Sequence, residues 1–169
     1  EAVAAGASIV NDISAGSMDP DMLTTTASLK VPYVLMHMKG TQQTMQSMAN
    51  YEDVTKEVLD FFIKKIVELR NMGITDIIVD PGFGFAKTIS HNFELLRNLK
   101  LFAIAGCPLM AGLSRKSTVW KILGIDASDS LNGTTVLNSL ALVNGTEILR
   151  VHDVREAVEA VKLLEAYNG

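Results

Sequence analysis

A chain of 169 residues, 48% hydrophobic and 20% charged, carries enough apolar side chain for about one domain core. Its formal net charge of -4, with no basic run and no interleaving of aromatic with basic residues, excludes the electrostatic footprint of a nucleic-acid binder. The single cysteine, Cys107, excludes an intrachain disulfide and fits a reducing, cytoplasmic setting, and no apolar run approaches the roughly 18 residues of a membrane span.

The opening EAVAAGASIV has neither an initiator Met nor a basic segment ahead of an apolar core, so no signal peptide is expected and something upstream is expected to have been removed. From Ile9 onward, short apolar runs alternate with amphipathic patterns, the signature of βα units around a parallel sheet. Strands are predicted at 7–12, 31–38, 75–82, 108–114 and 146–153, each nearly continuous in Val, Ile, Leu or Met, as strands buried on both faces require. A less regular helix is predicted over 19–29. The next, Glu52 to Met72, repeats Val54, Val58, Phe61, Phe62, Ile66 and Leu69 at near-helical spacing, with Gly73 placed to cap it. Further helices are predicted over 94–102, 134–144 and 154–167, the last opened by a capping box of Asp153 and Glu156. No linker or low-complexity tract divides the chain, so residues 1–169 read as one partial domain.

An open, doubly wound sheet would place a glycine fingerprint after its first strand, and SIVNDISAG lacks GxGxxG. All five predicted strands instead carry polar residues at their C-terminal ends, where barrel enzymes place their chemistry. The predicted fold is therefore α/β, a TIM (β/α)8 barrel in partial form with about five of its eight βα units. Such an arc would leave two unpaired edges, and the chain is expected to oligomerise, swap or aggregate.

Residues two apart on a strand share a face. Arg150 and His152 form one such pair; Met110, Gly112, Ser114 and, if extension continues, Lys116 form another set. Asp80 follows Ile78, and Asn11 follows Ile9. Each has a plainer reading: Asp80 before Pro81 suits a turn, Arg150 an ion pair, His152 a loop contact with Asp153, and Lys116 beside Arg115 a charged surface. Clustering at the same end of parallel strands favours a common site, because solvation alone gives no reason for it. Gly112 inside an apolar strand is costly unless a flat group or a backbone approaches it closely. Gly82 and Gly84 allow a tight or left-handed loop that presents Phe83 or Phe85. His37, of opposite parity to Met36 and Met38, is expected to be structural, and His91 to serve a turn or helix cap. No zinc-ligand spacing and no Ser or Cys nucleophile motif occurs.

Taken together, NDI at 11–13, LMHM at 35–38, DPGFGF at 80–85, GLSRKS at 112–117 and RVHD at 150–153 resemble dihydropteroate synthase, in order and along the whole chain. The resemblance implies a transferase of folate biosynthesis that joins a dihydropterin pyrophosphate to p-aminobenzoate and releases pyrophosphate. It implies a pterin pocket of Asn11, Met36, Asp80, Gly112 and Lys116, with Arg150 stacked on the ring. Arg150 and His152 would line the pyrophosphate site, and Ser117, Lys116 and Phe85 would lie near p-aminobenzoate, where sulfonamides bind in this family. Lys116, Arg150 and His152 would carry the catalysis. Mg²⁺ on the pyrophosphate and a homodimer of the full-length protein are also implied. The family's metal-binding Asn, its Thr-Arg loop pair and a second pterin-binding Asp have no counterpart in these residues, so the chain by itself is expected not to be competent. The alternatives are a pterin-barrel methyltransferase, disfavoured because a methyl donor has no pyrophosphate for SRKS and RVHD to neutralise, and a non-catalytic barrel fragment acting as a binding module.

Overall fold

The computed structural model describes residues 1–169. Five parallel strands follow one another in chain order: β1 (Val10–Asp12), β2 (Tyr33–Met36), β3 (Ile77–Asp80), β4 (Met110–Ala111) and β5 (Ile148–Leu149). β1, β2 and β3 form one ladder, with Asn11 opposite Val34 and Met36 opposite Asp80. β4 and β5 form a second, with Met110 opposite Ile148. A bridge between Val79 and Leu109 joins the two. Neighbours in sequence are thus neighbours in space and the order never reverses, as in an arc of a (β/α)8 barrel and unlike a doubly wound sheet with its switch point.

Helices α1 (Met22–Leu29), α2 (Val54–Asn71), α3 (Ile89–Arg97), α4 (Ser117–Leu123), α5 (Leu131–Val143) and α6 (Val154–Asn168) connect and follow the strands, with short 3-10 turns at Leu99–Ala105 and Ala127–Asp129. In α2, Asp53 caps the N-terminus by accepting from the Lys56 N–H at 2.8 Å, and Val54, Val58, Phe62, Ile66 and Leu69 are buried along one stripe. Gly73 lies just past its end with φ 91. The main core sits between that stripe, Leu95, Leu99 and Phe102, and the outward strand residues Tyr33, Leu35, Ile77 and Val79. Each fully buried Leu or Phe there contributes about 1.5–3 kcal/mol. The alternate strand residues, Asn11, Met36, Ile78, Asp80 and Met110, lie outside that core and face the other way, into the barrel.

Three local expectations are corrected. The helix predicted over 94–102 begins earlier, at Ile89, because Thr88 accepts from the His91 N–H at 3.2 Å while its own N–H donates to His91 Nδ1 at 3.3 Å; it ends at Arg97, with Asn98 as its C-cap. His91 is therefore the capping residue it was expected to be. The capping box at Asp153 does not form, because Arg115 takes that carboxylate with Nε and Nη2 at 2.9 and 2.8 Å. The extended run through Ser114 does not persist to Lys116: β4 ends at Ala111, and Arg115 turns the chain in the left-handed region at φ 52.

Candidate functional site at the strand C-termini

Strand parity delivers three residues to one place. Arg150, two residues beyond Ile148, donates from Nη2 to Asp80 Oδ2 at 2.7 Å and from Nη1 to Asn11 Oδ1 at 3.0 Å. Asp80 is fully buried and its other oxygen accepts from the Gly82 N–H at 2.8 Å, so the turn reading and the site reading of Asp80 both hold. Met36 is buried opposite Asp80 across the ladder. Gly112 supplies the room: a Cβ there would stand 2.9 Å from Arg150 Nη2 and 3.4 Å from its Cζ. The flat group that the missing side chain admits is the guanidinium of Arg150.

Lys116 reaches the same rim by another route. Arg115 is anchored to Asp153, its backbone N–H donates to Thr134 Oγ1 at 3.0 Å, and the chain re-enters a helix with Lys116 as the residue before α4. Its stem crosses Gly84, where a Cβ would meet Lys116 Cδ at 3.4 Å. The ammonium donates to the Phe83 carbonyl and lies 4.9 Å from the Phe85 ring centroid. Burial lowers the Lys116 pKa to about 8, with Asp80 opposing and Arg150 adding to the depression. Phe83 is fully buried in the core and only the half-buried Phe85 lines the rim, which settles the choice between the two. Ser117 opens α4, half-buried beside Lys116.

His152 has partners of its own. It is exposed, and its Nδ1 and backbone N–H meet Ser114 Oγ at 3.0 and 3.2 Å. Beyond Leu149, where β5 ends, Arg150 and His152 bond to different partners, Arg150 to Asp80 and His152 to Ser114.

One member was not singled out in the sequence. Lys87, at the end of DPGFGFAK, is 4% exposed and its Nζ lies 3.1 Å from His37 Nδ1, 3.0 Å from Phe85 O and 3.2 Å from Gly82 O. His37 is buried edge-on to Phe61 at 5.0 Å, the structural role expected of it. Burial, then Lys87 and Lys39, lowers the His37 pKa to about 3, so the imidazole is neutral and Nδ1 can accept. Burial lowers Lys87 to about 7 from 10.5; Asp80 opposes this, and Lys116 and Lys39 add to it. The unfolded chain therefore binds a proton that the folded chain does not between about 7 and 10.5, and stability rises with pH across that window. Urea titrations at its two ends are expected to show that rise in the unmodified chain and a smaller one in Lys87→Met, where Lys116 still contributes between about 8 and 10.5.

The rim thus assembles a buried carboxylate with a neighbouring amide, two cations above them and an aromatic beside the second. That set can grip a flat heterocycle by its donor edge and neutralise an anion attached to it.

Residues 1–152 match the family described as pterin binding enzyme. The dihydropteroate synthase of Escherichia coli (strain K12) is 41% identical over 168 residues, which are 98% of this chain and 59% of that protein. The dihydropteroate synthase of Synechocystis sp. is 40% identical over 169 residues, covering 98% and 58%. Among solved structures, dihydropteroate synthase from Thermus thermophilus in complex with 6HMPPP superposes with a TM-score of 0.94 at 36% identity, over 99% of this chain and 67% of that one. The Xanthomonas albilineans enzyme with 4-aminobenzoic acid gives 0.92 at 37% identity, over 99% and 60%. This chain spans about three-fifths of the length of the curated relatives it matches.

Proposed function

Because the chain belongs to the pterin-binding enzyme family, we propose that it forms the pterin- and p-aminobenzoate-binding part of a dihydropteroate synthase. The observation that carries this reading is the Arg150–Asp80–Asn11 cluster: a guanidinium already occupies the two acceptors that an amino-pyrimidinone edge would take. Both groups present N–H donors flanking one carbon, so the pterin replaces Arg150 at Asp80 and Asn11 like for like. Arg150 is about one-third exposed, so its side chain has room on the solvent side of the pair. Released, it covers the ring face beside Gly112 and meets the pyrophosphate.

Met36 lies beneath the ring and Lys116 donates to its acceptor atoms. The C–O bond between the pterin methylene and the pyrophosphate breaks, with Arg150 and His152 offsetting the charge that accumulates on the leaving group. The aniline nitrogen of p-aminobenzoate, held beside Phe85, Lys116 and Ser117, forms the new C–N bond and gives up one proton to the departing pyrophosphate or to water. Catalysis is positional and electrostatic, with no covalent enzyme intermediate.

Among the residues of this chain no three His, Cys, Asp or Glu side chains are placed together to hold a metal. Mg²⁺ would come with the pyrophosphate and offset its charge, its protein ligand being the family's metal-binding Asn, which has no counterpart in these residues. The setting is cytoplasmic, in keeping with the free thiol of Cys107; no helix is long and apolar enough to cross a membrane. The protein acts as a homodimer, for which Val136, Leu140, Val143, Leu163 and Tyr167 leave an exposed apolar surface across α5 and α6.

Pyrophosphate release by the natural gene product that carries this chain tests the reading, with Lys116→Ala and Arg150→Ala beside it. Each substitution is expected to lower kcat/KM on the order of 100-fold or more. Release of no pyrophosphate, or turnover intact in both variants, rejects the synthase and leaves a methyltransferase or a binding module.

A further inference from the structure

Lys87 is a buried cation with no carboxylate bonded to it. For packing alone an apolar side chain of the same length would serve better, because a buried ammonium carries a desolvation cost of several kcal/mol. What surrounds it explains its presence. The carbonyls of His37, Gly82 and Phe85 converge with the ring nitrogen of His37 on one point, at 3.4, 3.2, 3.0 and 3.1 Å from Nζ. Four electronegative atoms focused on one spot repel one another and need a donor between them. Two of the four lie where the chain leaves β2, and two lie in the loop after β3. That loop crosses close to the β2 exit, for a Cβ on Gly82 would stand 2.1 Å from the His37 carbonyl oxygen.

We infer that Lys87 is a positioning residue, pinning the 82–85 loop to the end of β2 and so setting the aminobenzoate half of the site without touching a substrate. The pinned loop carries both features that Lys116 uses, the Phe83 carbonyl and the Phe85 ring. Asp80, Asn11 and Met36 sit on strands held by their own ladder, and the loop touches this set only where the Gly82 N–H donates to Asp80 Oδ1. Lys87 therefore acts chiefly on the aminobenzoate half and reaches the pterin only at second hand, through Gly82 and Lys116. Its low pKa agrees with this placement, since either the ammonium or the neutral amine can donate to at least two of the acceptors.

This inference rests on the synthase reading for its kinetic test and on the loop alone for its structural one. In the natural gene product, Lys87→Met is expected to raise KM for p-aminobenzoate on the order of 10-fold while KM for the pterin pyrophosphate moves by less than about 3-fold. Lys87→Gln, which keeps a donor among the same acceptors, is expected to recover part of the loss, and it carries the comparison if the Met variant does not fold. In the same protein, amide exchange at Gly84 and Phe85 is expected to quicken on the order of 10-fold in Lys87→Met, while the β2–β3 ladder keeps its protection. Equal shifts of both KM values, or no shift in either together with unchanged exchange at Gly84 and Phe85, overturn the inference. An unmodified protein that turns nothing over rejects the synthase reading instead, and the exchange measurement then decides the role of Lys87 alone.

Discussion

Asp80→Ala is expected to weaken binding of a pterin by one to two orders of magnitude. The carboxylate is fully buried, with one oxygen committed to the Gly82 N–H at 2.8 Å and the other facing the barrel, where Arg150 now holds it at 2.7 Å. A pterin edge that displaces Arg150 exchanges one charge-assisted interaction for another, and alanine abolishes the acceptor on which that exchange depends. A hydrogen bond to a charged group is worth about 1.5–3 kcal/mol, so losing it costs on the order of 10- to 100-fold, while the second donor keeps its bond to Asn11. Asp80→Asn separates the two duties of the side chain. It can still accept from Gly82 and preserve the turn, but it presents a donor or a weaker acceptor to the ring. Fluorescence titration with a pterin measures both; a Kd in Asp80→Ala within about 3-fold of the unmodified chain contradicts the assignment.

The largest effect on stability is expected from Gly82→Ala. Gly82 has φ 70, where an L side chain is strained by about 1–2 kcal/mol, and its Cβ would stand 2.1 Å from the backbone oxygen of His37. Backbone meets backbone there, and no rotamer change can relieve it. Gly84 is the internal control: its φ is 81, but a Cβ would meet only Lys116 Cδ, at an ordinary 3.4 Å. Gly84→Ala should therefore lose only the left-handed strain, and Gly82→Ala about 2 kcal/mol or more beyond that, because the loop must lift from β2. Urea denaturation of the two variants in parallel gives the difference. Equal midpoints contradict the close approach and, with it, the packing that Lys87 maintains.

Wherever the backbone stays extended, the period-two rule read the site from the sequence. Asn11, Asp80 and Arg150 come from β1, β3 and the residue after β5, and their parity alone places them on the inner face. Gly112 was legible as a place where something flat must fit, though the group found there belongs to the chain. The rule fails where extension stops. Lys116 arrives through the left-handed turn at Arg115, and His152 swings to Ser114 once β5 has ended. Neither direction is encoded in spacing. The Asp153 cap was misread for a related reason: its competitor, Arg115, lies 38 residues away and only tertiary structure brings it there. α4, STVWKIL, went unread because seven residues are too few for an amphipathic repeat to declare itself. Lys87 was hidden because lysine is a surface residue by default, and its burial depends on carbonyls from two separate loops. The signal that could have exposed it is a lysine directly after a run of glycines and aromatics, where the loop has no carboxylate to pair with it.

The central claim is that one cavity receives a pterin at Asp80 and Asn11 in place of the guanidinium of Arg150. A co-crystal structure with a 6-hydroxymethylpterin tests it most directly. The expected result is the amino-pyrimidinone edge on the Asp80 carboxylate, with Arg150 swung off Asp80 and over the ring face beside Gly112. A pterin bound elsewhere, with the Arg150–Asp80 pair still closed, would contradict it.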